Sequence, residues 1–405
     1  MKLCNEFVMK EEWKLIEYEY TTYRQVGILH SYTPYSPLFL RILLAMSGGI
    51  DSSVVAHLLR EQGHDVLGVR FNLWTDPLAP ALAQVLPTKC CTTQNISRAS
   101  NVAKKLGIPL RIINLEQEFK ETVVDPFLEG HRRGVTPNPC IGCNRTIKFG
   151  KLLALAKELG CDKLATGHYA RAASEKMSDG SERMVLLESV DKKKDQSYYL
   201  YGLTQEQLKS VYFPIGSMLK TEVYGLAEHF GIPLPDSYRE SQDLCFFPEK
   251  TPEEFLKRHL KSSMSPGEIT RQNGVVVGTH EGLPLYTVGQ RRGLGIGGLK
   301  VPLEVVEKDT VTNRLIVADR GSVKTDTVKL TDIRFVAWAP ESGTPLPFEC
   351  RIRSLSPKKR GELTLSSSGG VFRFSSPQSP QAPGQSLVLY RGEEVIGGGV
   401  MERAV

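Results

Sequence analysis

The sequence is poor in several features that would assign the protein to particular classes. None of its apolar runs approaches the roughly 20 residues of a membrane-spanning helix, so we expect no membrane partner. Residues 1–41 show neither the apolar core of a signal peptide nor the Arg-rich, acid-poor pattern of a transit peptide, and we interpret them as an N-terminal extension. The chain has no internal repeat. Its 405 residues are enough for two or three domains.

The cysteines are unevenly placed along the chain. The eight cysteines stand at positions 4, 90, 91, 140, 143, 161, 245 and 350. This distribution is unlike the disulfide framework of a small secreted domain. We therefore expect a reducing compartment, namely the cytoplasm.

Acidic residues are missing from two stretches of the chain. Residues 130–157 contain six Lys or Arg residues, and residues 350–361 contain five, with no Asp or Glu in either stretch. Either stretch alone is also consistent with a solvated surface. Together with a formal net charge of +6 and a pI near 8.8, the two favour contact with a phosphate backbone.

The most informative segment of the chain is Leu44–Ser53, which reads Leu-Ala-Met-Ser-Gly-Gly-Ile-Asp-Ser-Ser. An apolar run of strand length precedes it, and apolar residues at helical spacing follow it. Gly48 and Gly49 allow the backbone to approach an anion, while the amides that open the next helix add hydrogen bonds and a favourable dipole. The segment predicts a phosphate-binding loop, with an ordinary Gly-Ser turn as the alternative.

This loop differs from the common P-loop, because it lacks the Lys-Ser or Lys-Thr pair that reaches the outer phosphates and the magnesium ion. The pattern Ser-Gly-Gly-X-Asp-Ser instead resembles the signature of ATP pyrophosphatases, which cleave ATP between its α and β phosphates and adenylate a substrate oxygen. Asp51 suits a role linked to Mg²⁺, since hard cations prefer carboxylate oxygens. The expected cofactor is therefore ATP with Mg²⁺.

Strands and helices alternate after the loop. The predicted strands are 42–46, 65–71, 110–115 and 162–166, and the predicted helices are 94–106 and 148–159. Such alternation predicts an α/β fold with a doubly wound parallel sheet, and the resemblance of the loop implies one like that of the adenine nucleotide alpha hydrolases. Phe71 and Gly167 follow two of the strands, so both are expected to border the nucleotide.

The pattern changes beyond Cys245. A short helix is predicted over residues 252–259, and a Gly-rich run follows it. From residue 301 onward, short alternating segments predict a small β-barrel with a loop at 375–384; the segments are 314–318, 349–354, 362–366 and 386–390. We predict an ATP pyrophosphatase catalytic domain over 42–245, a small α+β domain over 246–300 and a C-terminal β-barrel over 301–405.

Three cysteines are candidates for chemistry. Thr136-Pro-Asn-Pro-Cys-Ile-Gly-Cys-Asn-Arg145 places Cys140 and Cys143 three residues apart on a Pro-rich loop, and Cys245 lies in Asp243-Leu-Cys-Phe-Phe-Pro248. A Cys-X-X-Cys pair is compatible with zinc, an iron–sulfur cluster or dithiol redox chemistry, because the two sulfurs can meet one metal or each other. Ordinary buried cysteines are the alternative.

Taken together, these segments closely resemble the tRNA-specific 2-thiouridylases of bacteria and mitochondria, which convert the wobble uridine of certain tRNAs to 2-thiouridine. The resemblance runs from about Ile42 to Met401. It rests on separate blocks in the same order: Ser47–Ser52, Thr136–Pro139, Cys143–Phe149, Ala165–Tyr169, Lys194–Tyr198, Ser241–Phe246 and Tyr286–Gly298.

The resemblance implies a role for residues in several of these blocks. The implied ATP contacts are Ala45, Met46, Ser47, Gly48, Gly49, Ile50, Asp51, Ser52, Phe71 and Gly167. The residues implied to face the target base are Asn138, Pro139 and Cys140. The residues implied to touch tRNA are His168, Lys194, Asp195, Gln196, Arg351, Ile352 and Gln385. Cys143 would be the nucleophile, and Cys245 would receive sulfur as a persulfide. The implied partner besides tRNA is a persulfide or sulfide donor protein.

The implied chemistry explains why ATP and sulfur are both needed. The C2 oxygen of uridine is a poor leaving group, and adenylation lets it leave as part of AMP. A soft sulfur nucleophile then takes its place and gives 2-thiouridine, with AMP and pyrophosphate as by-products.

One position departs from the family pattern. Members commonly carry Asp, assigned as a general base, where this chain has Cys140, and a thiol has a different intrinsic pKa. Together with Cys143 and Cys245, Cys140 resembles the ligand set of related tRNA thiolases that hold a [4Fe-4S] cluster. Two mechanisms therefore remain open: a persulfide on Cys245 with a transient disulfide to Cys143, or sulfur transfer through a cluster held by all three cysteines.

Two other classes of function also remain open. An ATP-dependent ligase acting on a small metabolite would use the same loop, but it would not need the two basic stretches or the distant cysteine pair. An RNA-binding or iron–sulfur scaffold protein would account for the charge and the cysteines, but it would leave the loop unused.

Overall fold

The structure, a computed structural model, describes residues 39–80, 93–177, 179–233, 244–298, 301–336 and 338–402. Residues 1–38 of the predicted extension lie outside these ranges, as does the start of the block Ser241–Phe246. Across the ranges that are described, no helix is both long enough and apolar enough to cross a membrane.

A five-stranded parallel sheet forms the centre of the first domain. In spatial order its strands are β3 (Leu110–Asn114), β2 (Asp65–Asn72), β1 (Arg41–Ala45), β4 (Lys163–Ala165) and β7 (Val211–Tyr212). Ile42, Leu43 and Leu44 are fully buried, because a central strand of a parallel sheet is covered on both faces. The predicted α/β fold is confirmed, and the four predicted strands end within one residue of the observed ones.

Helices cover both faces of this sheet. They are α1 (Ile50–Glu61), α2 (Thr93–Lys105), α3 (Glu116–Phe119), α4 (Asp125–Arg132), α5 (Pro139–Cys143), α6 (Leu152–Glu158), α7 (Gln205–Ser210) and α8 (Lys220–His229). Helices α1, α2 and α8 pack in one apolar cluster, and α6 packs on the other face with the 3₁₀ turn Ser197–Leu200. The π-helical segment Asn144–Lys151 joins α5 to α6. The predicted helix over 148–159 is therefore the end of a longer helical segment that begins at Pro139.

The central domain contains α9 (Glu253–His259) and a four-stranded sheet. In spatial order its strands are β10 (Leu303–Asp309), β11 (Arg314–Asp319), β8 (Gly267–Arg271) and β9 (Val276–His280). The segment 314–318, predicted to belong to the barrel, pairs with β8 and β10 instead. The predicted boundary at residue 300 thus falls inside one sheet, because a short alternating strand carries no local mark of the sheet that it joins.

The C-terminal domain is a closed six-stranded antiparallel barrel, as predicted. In spatial order its strands are β12 (Thr325–Phe335), β15 (Gly369–Gln378), β14 (Lys359–Ser366), β13 (Leu346–Arg351), β16 (Ser386–Arg391) and β17 (Glu394–Met401). Pairing of β12 with β17 closes the barrel. The loop predicted at 375–384 is shorter than expected, because β15 continues through Gln378.

A hairpin from the first domain extends the barrel sheet. Strands β5 (Ala170–Lys176) and β6 (Glu182–Glu188) pair with each other, and β6 pairs with β17 through Leu187 and Glu394. One apolar cluster contains Leu43 of the parallel sheet, Leu186 of the hairpin and Val388 of the barrel. The shared core fixes the position of the barrel relative to the carboxyl end of the parallel sheet.

Candidate active site

The loop between β1 and α1 has the geometry of an anion cradle. Gly48 has a φ of +79°, and a Cβ atom at this position would lie 2.1 Å from the backbone oxygen of Asn95. Gly49 is the extended N-cap of α1, and the hydroxyl oxygens of Ser47 and Ser52 lie 3.1 Å apart. Hydroxyl groups and the amides of a helix N-terminus therefore gather at the carboxyl end of β1, where an anion is favoured.

Two arginines support this loop from neighbouring elements. Arg70 of β2 is buried and donates from Nη1 to the carbonyl oxygen of Ser47 at 2.7 Å. Arg98 of α2 donates to the carbonyl oxygen of Gly48 at 3.2 Å. Sequence reasoning missed both, although an arginine between the apolar residues Val69 and Phe71 of β2 was a visible signal for Arg70.

The carboxylate of Asp51, in the first turn of α1, is engaged by two side chains from distant segments. Its Oδ1 atom lies 2.6 Å from Nζ of Lys220 and accepts a hydrogen bond of 3.0 Å from the hydroxyl of Tyr169. A Cβ atom at Gly167 would lie 3.1 Å from Cβ of Asp51, so a glycine here keeps the end of β4 close to the loop. Lys220 was missed, because nothing local in the sequence connects residues 51 and 220.

The remaining predicted ATP residues lie at the ends of β1 and β2 and at the start of α1. Met46 and Ile50 are buried, and the amide of Met46 donates to the carbonyl oxygen of Val69 at 2.8 Å. Ala45 and Phe71 are partly exposed. The side chains of Met46 and Ile50 thus belong to the core, so any contact of these two residues with a nucleotide would come from their backbone.

The loop with the Cys-X-X-Cys pair leads into α5. The side chain of Asn138 accepts a hydrogen bond of 3.2 Å from the amide of Cys140, and Pro139 occupies the first helical position, where its missing N–H is no loss. Cys143 is buried and Cys140 is half-buried. Spacing of three residues in a helix places both cysteines on one side of α5.

The other two domains hold the start of this loop. The amide of Thr136 donates to the carbonyl oxygen of Pro383 at 2.7 Å, and Nε2 of Gln385 donates to the carbonyl oxygen of Thr136 at 2.8 Å. The hydroxyl oxygens of Thr136 and Thr287 are 3.1 Å apart. A cavity of about 330 Å³ opens at this junction and is lined by Thr136, Thr287, Val288, Gly289, Gln290, Arg353, Ala382 and Gln385.

Cys245 lies close to the same aromatic region as Cys143. Both cysteines pack against one cluster that is rich in phenylalanine. The carbonyl oxygen of Phe246 accepts a hydrogen bond of 3.0 Å from the amide of Asp76, whose fully buried carboxylate pairs with Arg258 of α9. The structure therefore brings the predicted nucleophile and the predicted sulfur carrier to one cluster, from segments about a hundred residues apart in the chain.

The three cysteines do not form a ready metal site. In the part of the chain that the structure describes, no three His, Cys, Asp or Glu side chains are arranged to hold a metal ion. Cys140, Cys143 and Cys245 all belong to that part. The donor set predicted for a [4Fe-4S] cluster is thus not assembled in this arrangement.

His168 lies inside the molecule. Its Nδ1 atom is 2.8 Å from Oγ1 of Thr166, and its Nε2 atom is 3.4 Å from Nζ of Lys148. Burial, together with the charge of Lys148, holds the pKa of His168 well below the usual value for histidine. The ring is therefore neutral near pH 7, and its contact with tRNA stays a prediction.

Arg351 and Asp195, both predicted to touch tRNA, contact each other. Arg351 is 9% exposed, and its guanidinium lies 3.0 Å from Asp195 and 2.8 Å from Glu188. Side-chain Oε1 of Gln196 accepts a hydrogen bond of 2.9 Å from the amide of Tyr169. These residues join the barrel to the hairpin, while Lys194 and Ile352, which are also predicted tRNA contacts, are partly exposed beside them.

The fold and the loop define a class of protein: an α/β nucleotide-binding domain with a glycine-rich loop at its first strand, followed by two β domains. Three family profiles match in the same order. They are the tRNA methyl transferase HUP domain over residues 40–249, the tRNA methyl transferase PRC-barrel domain over 253–319 and the aminomethyltransferase beta-barrel domain over 325–401.

Curated relatives cover nearly the whole chain. The chain is 41% identical to the tRNA-specific 2-thiouridylase MnmA of Symbiobacterium thermophilum, over 91% of its own length and 94% of that protein. It is 42% identical to the MnmA of Geobacter metallireducens, over 90% and 97% of the two chains. The chain belongs to the family of tRNA-specific 2-thiouridylases. A solved structure, the U34-tRNA thiolase NcsA of Methanococcus maripaludis with its [4Fe-4S] cluster, is 18% identical to this chain, with a TM-score of 0.33. The match covers 56% of this chain and 69% of that one, and a likeness this low carries no argument about mechanism.

Proposed function

We propose that the protein is an ATP-dependent tRNA-uridine 2-sulfurtransferase, which converts the wobble uridine of tRNA to 2-thiouridine. The observation that carries the proposal is the placement of a phosphate-binding loop and a pair of cysteines on one catalytic domain, within a chain about 41% identical to named 2-thiouridylases along nearly its whole length. A small-metabolite ligase would leave both the cysteine pair and the basic stretches without a role.

In the first step, the C2 oxygen of the uridine attacks the α-phosphorus of ATP, and pyrophosphate leaves. The loop Ser47–Ser52 and the N-terminus of α1 stabilise the negative charge on the phosphates. Asp51 would hold Mg²⁺, which usually takes one or two protein carboxylates together with substrate phosphates, so this site fits the ion. Bound Mg²⁺ supplies charge neutralisation to the leaving pyrophosphate.

In the second step, sulfur replaces the activated oxygen. The terminal sulfur of a persulfide on Cys245 attacks C2, and AMP leaves with the former C2 oxygen. Cys143 then attacks the inner sulfur of Cys245, which releases the 2-thiouridine and forms a Cys143–Cys245 disulfide. A dithiol reductant restores both thiols, and a sulfur donor protein reloads Cys245 with persulfide. The cluster route is assigned no step, because the three cysteines are not assembled as a ligand set.

The test is AMP release by the purified full chain with ATP, an unmodified tRNA transcript and a persulfide donor with a dithiol reductant, alone and in combination. We expect AMP release that depends on tRNA, with 2-thiouridine detected by mass spectrometry of the digested transcript. A ligase would release AMP without regard to the RNA, and a scaffold would release none. Iron and sulfide assays after anaerobic purification test the cluster route, which requires about four irons per active chain.

A further inference from the structure

The phosphate loop lacks a lysine of its own, yet a lysine reaches it from elsewhere in the fold. Nζ of Lys220 lies 2.6 Å from Oδ1 of Asp51, and the Lys220 side chain is only 7% exposed. Burying an ammonium group costs free energy unless the group has a partner of opposite charge, so a lysine this deeply buried needs such a partner. Asp51 provides the ion pair in this structure.

The surroundings of Lys220 hold its side chain in one direction. Lys220 is the first residue of α8, and its amide donates to Oδ2 of Asp191 at 3.0 Å. Its Nζ atom lies 5.6 Å from the ring centre of Tyr169 and 4.9 Å from that of Tyr224. An ammonium group between two aromatic rings and a carboxylate is pre-organised, so little further ordering is needed when an anion arrives.

We propose that Lys220 binds the outer phosphates of ATP and thereby supplies the cation that the loop sequence omits. The inference rests on the proposed function, since it needs the loop to hold the pyrophosphate portion of ATP. The side chain already lies at the first turn of α1, next to the cradle formed by Ser47, Gly49 and Ser52. A lysine acts on phosphate as a compact charge with three donors, so it suits an anion that changes position during the reaction.

The ion pair also explains how the site avoids an unpaired buried charge both without nucleotide and with ATP bound. Without nucleotide, Asp51 and Lys220 neutralise each other. When ATP enters with its cation, Asp51 faces the cation and Lys220 faces the phosphates, so neither charge is left buried without a partner. Lys220 is thus a positioning residue for ATP as well as a counter-ion for Asp51.

The experiment compares ATP and AMP binding by calorimetry for the full chain and for the Lys220→Met, Lys220→Arg and Lys105→Met variants. Lys105 is the matched control, because its Nζ donates to the carbonyl oxygen of Phe230 at the opposite end of α8. We expect Lys220→Met to weaken ATP binding roughly ten- to hundredfold, with AMP binding changed less than about threefold. Lys220→Arg keeps the charge and should recover part of the ATP affinity, whereas Lys105→Met should match the unaltered chain.

Equal weakening of ATP and AMP in Lys220→Met, or ATP binding as tight as in Lys105→Met, would overturn the assignment. Thermal unfolding of each variant identifies general loss of structure. If Lys220→Met is unfolded, Lys220→Arg decides, because the assignment requires this variant to weaken ATP binding more than AMP binding. If the unaltered chain itself binds ATP but forms no 2-thiouridine, the proposed function fails while the role of Lys220 stands.

Discussion

At the residue scale, Cys143 and Cys245 are held in different ways. Cys143 ends the short helix α5, whose first turn is fixed by the Asn138 cap and by Pro139. Cys245 is held through its neighbour in the chain, because the carbonyl oxygen of Phe246 accepts a hydrogen bond from the amide of Asp76. In the proposed mechanism, rigid supports of this kind would lower the entropic cost of bringing the two sulfurs together.

We expect Cys143→Ser and Cys245→Ser each to abolish 2-thiouridine formation while tRNA binding is retained. A hydroxyl can neither carry a persulfide nor resolve one, whereas the contacts with the tRNA backbone come from other residues. Nucleoside mass spectrometry and a filter-binding assay measure the two properties.

Cys161→Ser is the matched control for the cysteine variants. Burial raises the pKa of the Cys161 thiol, which makes it a poor nucleophile, and we expect normal thiolation in this variant. Loss of tRNA binding in both Cys143→Ser and Cys245→Ser would contradict separate sites for sulfur and for RNA.

At the scale of elements, the loop between β1 and α1 depends on close packing against α2. The left-handed φ of Gly48 and the nearby carbonyl of Asn95 leave no room for a side chain. Arg70 and Arg98 then donate hydrogen bonds to the carbonyl oxygens of Ser47 and Gly48. These contacts fix the loop beside the N-terminus of α1, where an anion is favoured.

We expect Gly48→Ala to lower tRNA-dependent AMP release about a hundredfold, because the loop must shift to relieve the clash with Asn95. Gly63→Ala is the matched control. Gly63 has a φ of +80°, almost the same as Gly48, but its Cβ would meet no described atom within 4 Å. This control should lose about 1 kcal/mol of unfolding free energy and no activity. Equal AMP release by the two variants would show that the contact with Asn95 is unimportant.

At the scale of the whole molecule, the barrel and the catalytic domain are joined by charge as well as by apolar packing. Arg351 of the barrel contacts Glu188 and Asp195, whose side chains are almost fully buried. Gln196, next to Asp195, binds the backbone of Tyr169, and the Tyr169 hydroxyl reaches Asp51. A continuous set of contacts therefore runs from the barrel to the phosphate loop.

Two neighbouring arginines of the barrel are expected to act differently. Arg351→Met should lower the unfolding free energy by about 3–5 kcal/mol, because it leaves the buried carboxylate of Asp195 without its cation. Glu188 keeps two other cations, Lys192 and Lys358. Arg353 is exposed, so Arg353→Met should change stability by less than about 0.5 kcal/mol. The Arg353 variant should instead weaken tRNA binding and reduce the salt slope by about 1.

Urea unfolding and tRNA titrations at several salt concentrations measure both effects. If the Arg353 variant keeps the salt slope of the unaltered chain, then the tRNA backbone does not contact the cavity at the domain junction. An Arg351 variant as stable as the unaltered chain would show that the buried carboxylate of Asp195 does not depend on this cation.

Local patterns in the sequence were sufficient for much of the fold. The alternation of strands and helices, the apolar run of β1 and the glycines of the loop each reflect constraints within a few neighbouring residues. They predicted the parallel sheet, the phosphate cradle and the barrel. The resemblance to a family then implied roles for Cys143 and Cys245. The structure packs both against one cluster, and their roles stay predictions.

Only the tertiary structure decided which distant segments meet. It paired Lys220 with Asp51, set Arg351 against Glu188 and Asp195, and assigned β10 and β11 to the central sheet instead of the barrel. Secondary structure and turn chemistry depend on near neighbours in the chain, so the sequence by itself determined them. Charge pairing and strand partnership depend on neighbours in space, which are chosen by burying the apolar faces of all elements at once.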